Sequence, residues 1–544
     1  MEQIWQVKQL IKSYIIRNTD DIITGYCTFI GDKYHMDSLS ELINLLTVSD
    51  KKLFKQFLER KNKRIDVKNL QLLDLIATDD ISGINKLYSP AKNKDAYHAL
   101  RKRLQDNLLL FLSQKTFESS HADTYEALRL VVAGRFLLEN DVVKVAFKCL
   151  DKAERLAEHL EQFNLLNELL LLKLQYAHLP GAEDLETLTA SFERNQFNMQ
   201  REAKLNIAYA FLRQELQEIH LKGKVVNLTG LLIATIRKYK ISVQDLMTYK
   251  SIYQILFIAN EYAAIQQNYG LIARYVNRIN LFIQRPGYTK EPYLFYHISI
   301  LYFLANFHLR QKDFVKSTSY LKEMMELMLA DNRYYTLFYL RHQLLSALKL
   351  FFTGFAEKTI RLLQEALSGV KPTAKTEDIE DIRICLTMFL ALCNDRRSLK
   401  QLSLLTQTDA WYEKKMGMLW TIRKNLMEIL VQAQFSNVDL AMSRLTGFRR
   451  RYKKYLLKTS EERVLLYLKL VEKYLMNPDV TFEPAYRKAV LNLAGTKENK
   501  DIFTLSFIAW LVAHWDKRTA YEVVLTFIRD DISADYCSAP SCVY

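Results

Sequence analysis

The sequence predicts an all-helical protein: a right-handed α-solenoid of stacked helix hairpins preceded by an N-terminal helical module. Three observations predict it. The 544 residues include only 14 Gly and 8 Pro, against roughly 7% and 5% in ordinary soluble chains, too few for turn-rich β architecture. Apolar residues recur at i, i+3, i+4 and i+7, as in Leu165, Leu166, Leu169, Leu170, Leu172 and Tyr176 ahead of Pro180. One spacing of a small residue and its partners also occurs three times: Gly134, Leu137, Ala146, Leu150 and Ala153; Ala305, His308, Ser317, Leu321 and Met324; Ala347, Leu350, Thr359, Leu363 and Ala366. This is the pattern of a hairpin whose first helix packs by its Gly or Ala against the second, and stacked hairpins form a solenoid.

The elements follow in order. Met1-Glu2-Gln3-Ile4-Trp5-Gln6-Val7-Lys8 has an early acid and no continuous apolar stretch, unlike a secretory signal, and reads as a first amphipathic helix. Residues 22–30 fit either a helix or a short strand. Asp37-Ser38-Leu39-Ser40-Glu41 supplies an N-cap with an acid three residues after Ser38. The helix it opens runs to Arg60-Lys61-Asn62-Lys63-Arg64, where cations suit a C-terminus. Shorter segments at 69–77 and 80–88 end at Pro90, and Asp95 opens a longer helix to Lys115. The hairpin spacing is absent up to this point, so 1–118 is an N-terminal helical module. Residues 119–375 carry the hairpins, with prolines between the helical patterns. Residues 376–531 read as degenerate repeats or a cap, and 532–544, a polar end holding Cys537 and Cys542, as a flexible tail.

A formal net charge of +15 favours acidic or polyanionic partners. Six scattered cysteines form neither a disulfide framework nor a zinc site, and Cys149, Cys385 and Cys393 fall on apolar faces. No window approaches the roughly 18 apolar residues of a membrane span; the densest stretch taken from the pattern is 228–236. A cytoplasmic protein without a membrane partner is expected.

The hairpins at 130–153 and 301–324, with a more degenerate one up to Ala366, resemble tetratricopeptide repeats. The resemblance covers about half of the chain, lacks the signature Trp, and has irregular intervals. It implies a non-enzymatic adaptor or scaffold that holds protein or peptide segments in a groove lined by the first helix of each hairpin. The matching positions are Val131 and Arg135, then Tyr302, Asn306 and Arg310, then Arg341 and Leu348. Asn306 and Arg310 stand one turn apart, and an Arg fork suits a planar carboxylate.

The strongest charge feature is Arg449-Arg450-Arg451-Tyr452-Lys453-Lys454-Tyr455, flanked by Arg444 and Lys458. Cations interleaved with aromatics suit a nucleic-acid backbone with stacked bases. At 100° per residue, however, Phe448, Tyr452, Tyr455 and Leu456 gather on one arc and the cations on the other, which reads as a core face and a solvated face. Arg449, Arg450, Arg451, Lys453 and Lys454 are the candidate anion or nucleic-acid contacts, and a nucleic-acid-associated regulator is the alternative function. Arg101-Lys102-Arg103 is a candidate recognition helix, but its apolar second half reads as packed. His297, His308 and His342 lack metal-ligand spacing and read as interior imidazoles. There is no phosphate loop and no nucleophile elbow, so no cofactor, metal or catalytic residue is assigned.

Overall fold

The computed structural model describes residues 39, 42–43, 46, 48–61, 68–77, 94–119, 123–222, 228–241, 248–266, 272–283, 293–370, 374–458, 461–493 and 502–529. The stretch 22–30, most of the cap at 37–41, the segment 80–88 and the tail with Cys537 and Cys542 lie outside the described residues. Among the described residues the protein is all-helical, with 23 α-helices and no strand. None of these helices is long and apolar enough to cross a membrane. The chain divides into two compact units, 1–196 and 197–544.

The first unit holds α1 (Val48–Lys61), α2 (Lys68–Ala77), α3 (Lys94–Ser119), α4 (Asp123–Glu139), α5 (Val143–His159), α6 (Phe163–Gln175) and the start of α7 (Leu185–Lys222). Phe54, Leu58, Leu72, Leu73, Leu104 and Leu108 bury the contact of α1 to α3, and Lys115 bonds back to Asp50. In the α4–α5 hairpin a Cβ on Gly134 would stand 2.9 Å from Leu150 Cγ, closer than carbon atoms pack, so any larger residue there forces the Leu150 side chain to move. The turn ends on Asp141 in the left-handed region (φ 62°), and the Val142 N–H then bonds the Leu137 carbonyl at 2.9 Å. This six-to-one bond satisfies one of the helix's orphan carbonyls. Lys173 on α6 is 3% exposed, and Asp151, Glu154 and Glu183 converge on its ammonium, which a buried cation requires.

The second unit continues with α8 (Leu228–Lys238), α9 (Tyr249–Gln266), α10 (Ala273–Ile283), α11 (Leu294–Arg310), α12 (Phe314–Ala330), α13 (Asn332–Phe352), α14 (Ala356–Ser368), α15 (Thr376–Leu392), α16 (Arg397–Leu402), α17 (Asp409–Lys415), α18 (Met418–Gln434), α19 (Val438–Lys458), α20 (Glu462–Met476), α21 (Pro484–Leu493), α22 (Ile502–Asp516) and α23 (Ala520–Arg529). Six of these, α11, α13, α15, α18, α20 and α22, end at residues 310, 352, 392, 434, 476 and 516, intervals of 40 or 42 residues. Each is followed by a partner helix, and successive helices pack on their neighbours.

The close crossings recur here. Ala305 and Ala347 are buried. Ser317 Oγ donates to the Ala305 carbonyl at 3.0 Å, and Ser398 Oγ to that of Thr387 at 2.8 Å. Thr359 Oγ1 lies 3.4 Å from the Ala347 carbonyl while donating to Phe355 within its own helix. A hydroxyl reaches a neighbouring helix's carbonyl only where the two backbones approach closely. The turns repeat as well: Lys312, Gly354, Asn394 and Ser436 all take positive φ. The following N–H closes onto the carbonyl five residues back at 2.8–2.9 Å.

Helix α22 is different in kind. No charged residue occurs from Ile502 to Trp515, and a helix apolar on every side must be buried. Leu505, Ile508, Ala509, Trp510, Leu511 and Val512 are indeed buried. The run 228–236, by contrast, leaves Ile233 and Ile236 exposed, so the most apolar helix lies elsewhere than the pattern placed it. The Trp510 indole donates to Gln434 at 2.6 Å, and Phe503 stands 6.2 Å from Phe352. The chain then returns: α23 packs on α13 and α15, where the Tyr521 hydroxyl donates to the Phe351 carbonyl at 3.0 Å across 170 residues. Phe351 in turn stacks on Phe389 at 3.9 Å.

His514, on the same helix, stacks on Tyr474 at 4.0 Å and meets the edge of Trp510 at 4.6 Å. Its Nε2 has no hydrogen-bond partner among the described residues, and burial pushes the imidazole down to about 4. Between pH 6.5 and 4 the unfolded chain therefore binds a proton that the folded chain refuses, and stability falls on acidification across that window. Urea midpoints are expected to drop from pH 7 to pH 5 in the native chain by an amount worth about 1–3 kcal/mol more than in His514→Gln. Equal drops would contradict this placement of the ring.

On α19 the position a Gly447 Cβ would take meets nothing within 4 Å, and the residue sits in mid-helix. Glycine there costs about 0.5–1 kcal/mol relative to alanine. Gly447→Ala is expected to stabilise the unit by that amount, read as a raised thermal midpoint.

Candidate functional site

The positions implied for a groove are engaged within the chain. Val131 and Leu348 are buried apolar contacts, and Arg135 pairs with Glu168 at 2.7 Å. Tyr302 is half-buried against Phe303. Asn306 is buried, and its amide donates to Asn260 on α9 at 2.8 Å. Arg310 lies over the Phe503 ring at 4.3 Å, and Arg341 Nε donates to Asp378 at 3.0 Å. Asn306 is thus turned toward α9 and Arg310 toward α22, so the two are not presented side by side at an open surface as the resemblance implies. The reason is crowding. Helix α11 is flanked by α9, α12 and α13, and α22 lies at its C-terminal end.

A polar network that the sequence reading did not single out ties α15, α17 and α18 together. Trp420 Nε1 donates to Asp381 at 2.8 Å, and Tyr412 Oη to Glu380 at 3.3 Å. The buried Lys424 ammonium lies 3.2 Å from both Asp409 and Glu428. Burial, with Asp378 adding to it, pushes the Asp381 carboxyl up to about 6, against the Trp420 hydrogen bond and the charges of Arg341 and Arg423. Its sign is opposite to that of His514: stability from Asp381 is complete below about pH 4 and is lost as pH rises through about 6. These groups bridge adjacent helices and fix their register. The only sequence signal for them is the acid run Glu377, Asp378, Glu380, Asp381, which does not reveal its partners.

His297, His308 and His342 are interior groups. His297 is buried, with Nε2 3.3 Å from Glu323. His308 lies beside Asp313 and stacks on Tyr320 at 5.6 Å, and His342 Nε2 donates to the Leu321 carbonyl at 3.0 Å. Among the described residues no three His, Cys, Asp or Glu side chains are grouped to hold a metal ion. Arg101 folds over its own neighbour Tyr97, while Lys102 and Arg103 are exposed. A cleft of about 420 Å³ between α14, α15 and α16 has mostly aliphatic walls, with Arg383 and Gln401 among its lining.

The basic segment divides cleanly. Arg449 pairs with Glu472 at 2.7 Å, Arg444 with Glu428 at 3.1 Å, and Arg451 grips Glu413 through two bonds of 2.8 and 2.9 Å. Phe448 and Tyr452 are buried, and the Tyr452 hydroxyl also donates to Glu413, at 2.8 Å. Arg450, Lys453 and Lys454 are exposed, and no acid lies within ion-pair range of them among the described residues. Comparison with family models, with curated proteins and with solved structures returns no match.

Proposed function

We propose that the protein is a cytoplasmic, non-enzymatic interaction scaffold, a right-handed α-solenoid of tetratricopeptide-like helix pairs that holds segments of other proteins. The observation that carries this reading is the run of first-helix ends at intervals of 40 or 42 residues, each pair packed on the next. Such arrays bury their core along one axis and leave long helical faces for partners. The interval exceeds the 34 residues of a tetratricopeptide unit, as first helices of 15 to 21 residues require. The charge of +15 supports an acidic partner, since opposite charge speeds encounter. In this reading the filled first-helix positions of the second unit shift the contact surface toward the outer helices.

The full chain, crosslinked in native lysate and mapped by mass spectrometry, is expected to retain a recurrent protein partner on one helical face. Retention that nuclease treatment abolishes would instead support the nucleic-acid reading. Recovery of nothing beyond a charge-matched control would overturn the scaffold reading.

A further inference from the structure

We infer that the outer face of α19 is a docking stripe for an acidic protein segment, an inference that rests on the scaffold reading and gives its partner a chemistry. At 100° per residue, Ser443, Thr446, Gly447, Arg450, Lys454 and Leu457 fall on one side of the helix, opposite the buried Leu445, Phe448 and Tyr452. From Ser443 to Leu457 the stripe is about 21 Å long at 1.5 Å per residue, enough to face three to four turns of a partner helix.

Two features distinguish this face from an ordinary solvated one. Three of the helix's other cations are already committed: Arg444, Arg449 and Arg451 hold Glu428, Glu472 and Glu413, and Lys458 stands exposed in the last turn. Arg450, Lys453 and Lys454 have no acid within ion-pair range among the described residues, so a stripe of uncompensated positive charge remains. The second feature is shape. Gly447 lies in a shallow, open depression bounded by Met442, Ser443, Thr446 and Arg450, with nothing within 4 Å of where its Cβ would stand. A side chain from a partner can settle there while carboxylates on either side reach the three cations.

Nucleic acid fits the same charge less well, because non-sequence-specific binding to single strands uses exposed aromatics for stacking. Of the aromatics of this segment, Phe448 and Tyr452 are in the core and Tyr455 is half-buried against it.

The test measures fluorescence anisotropy of a labelled acidic amphipathic peptide, with glutamates at i, i+3, i+4 and i+7 around a leucine, against the full chain. Duplex DNA and single-stranded RNA of matched charge serve as comparison probes. The combined change Arg450→Glu, Lys453→Glu and Lys454→Glu is expected to weaken peptide binding at least about tenfold at low salt. Gly447→Leu, which projects a side chain into the depression from open space, is expected to weaken it several-fold without lowering the thermal midpoint. Should the triple variant lose structure, the neutral pair Lys453→Gln and Lys454→Gln, with an expected loss of a few-fold, is read instead. Unaltered peptide affinity in these charge variants overturns the inference. Tighter binding of DNA or RNA than of peptide, with the steep salt slope of phosphate contacts, also overturns it. A lysate partner crosslinked to helices other than α19 removes the stripe but leaves the scaffold standing. No protein partner anywhere removes both.

Discussion

Trp510→Ala is expected to destabilise the second unit by about 3–5 kcal/mol, the cost of emptying a fully enclosed aromatic site. The indole is completely buried, its N–H is bonded to Gln434 at 2.6 Å, and Tyr474 and His514 pack against it at 5.8 and 4.6 Å. Truncation therefore leaves a cavity and removes the hydrogen bond to the half-buried Gln434 amide, the cavity being the larger loss. The denaturation midpoint of the unit is the measurement, and a loss below about 1 kcal/mol would mean that α22 can collapse around the gap.

Gly134→Leu is expected to cost about 1–3 kcal/mol by overpacking the α4–α5 crossing. Even a methyl group at this position would stand 2.6 Å from Leu150 Cδ2 and 2.9 Å from its Cγ, so Leu150, itself fully buried, has to leave its place. Better helix propensity offsets at most about 1 kcal/mol of this. An unchanged midpoint would show that the hairpin opens there without resistance.

The parts of the fold legible in the sequence are those set by local pattern. Scarce Gly and Pro together with helical periodicity gave the all-helical class, and the small-residue spacing located Gly134, Ala305 and Ala347 at buried crossings. A helical wheel of α19 sets Phe448, Tyr452, Tyr455 and Leu456 on one arc, of which Phe448, Tyr452 and Leu456 are buried and Tyr455 half-buried, whereas Arg449, placed with the solvated cations, lies beside Leu456 and is half-buried as well. The environments of Asn306, Arg310 and Arg341 were not legible. Each is fixed by a residue far along the chain, Asn260, Phe503 and Asp378, and exposure at a helix surface depends on what flanks it on both sides. The choice of which cations stay uncompensated on α19 was hidden for the same reason, since Glu413 and Glu472 reach it from neighbouring helices. The charge-free run from Ile502 to Trp515 was a readable signal of an enclosed helix. What it does not encode is the destination of α23.

That destination is the central claim, and native-state hydrogen exchange on the full chain carrying Trp510→Ala tests it most directly. In a linear array coupled only to nearest neighbours, loosening the last helix pair lowers protection in α20 and α21 and leaves distant pairs untouched. Because α23 is bonded to α13 and packs on α15, the variant is expected to lose protection at 345–352 and 385–392 as well, while 123–159 in the first unit is unchanged. Protection retained at 345–352 and 385–392, with the loss confined to 462–529, would contradict the return of the C-terminal helices onto the middle of the unit.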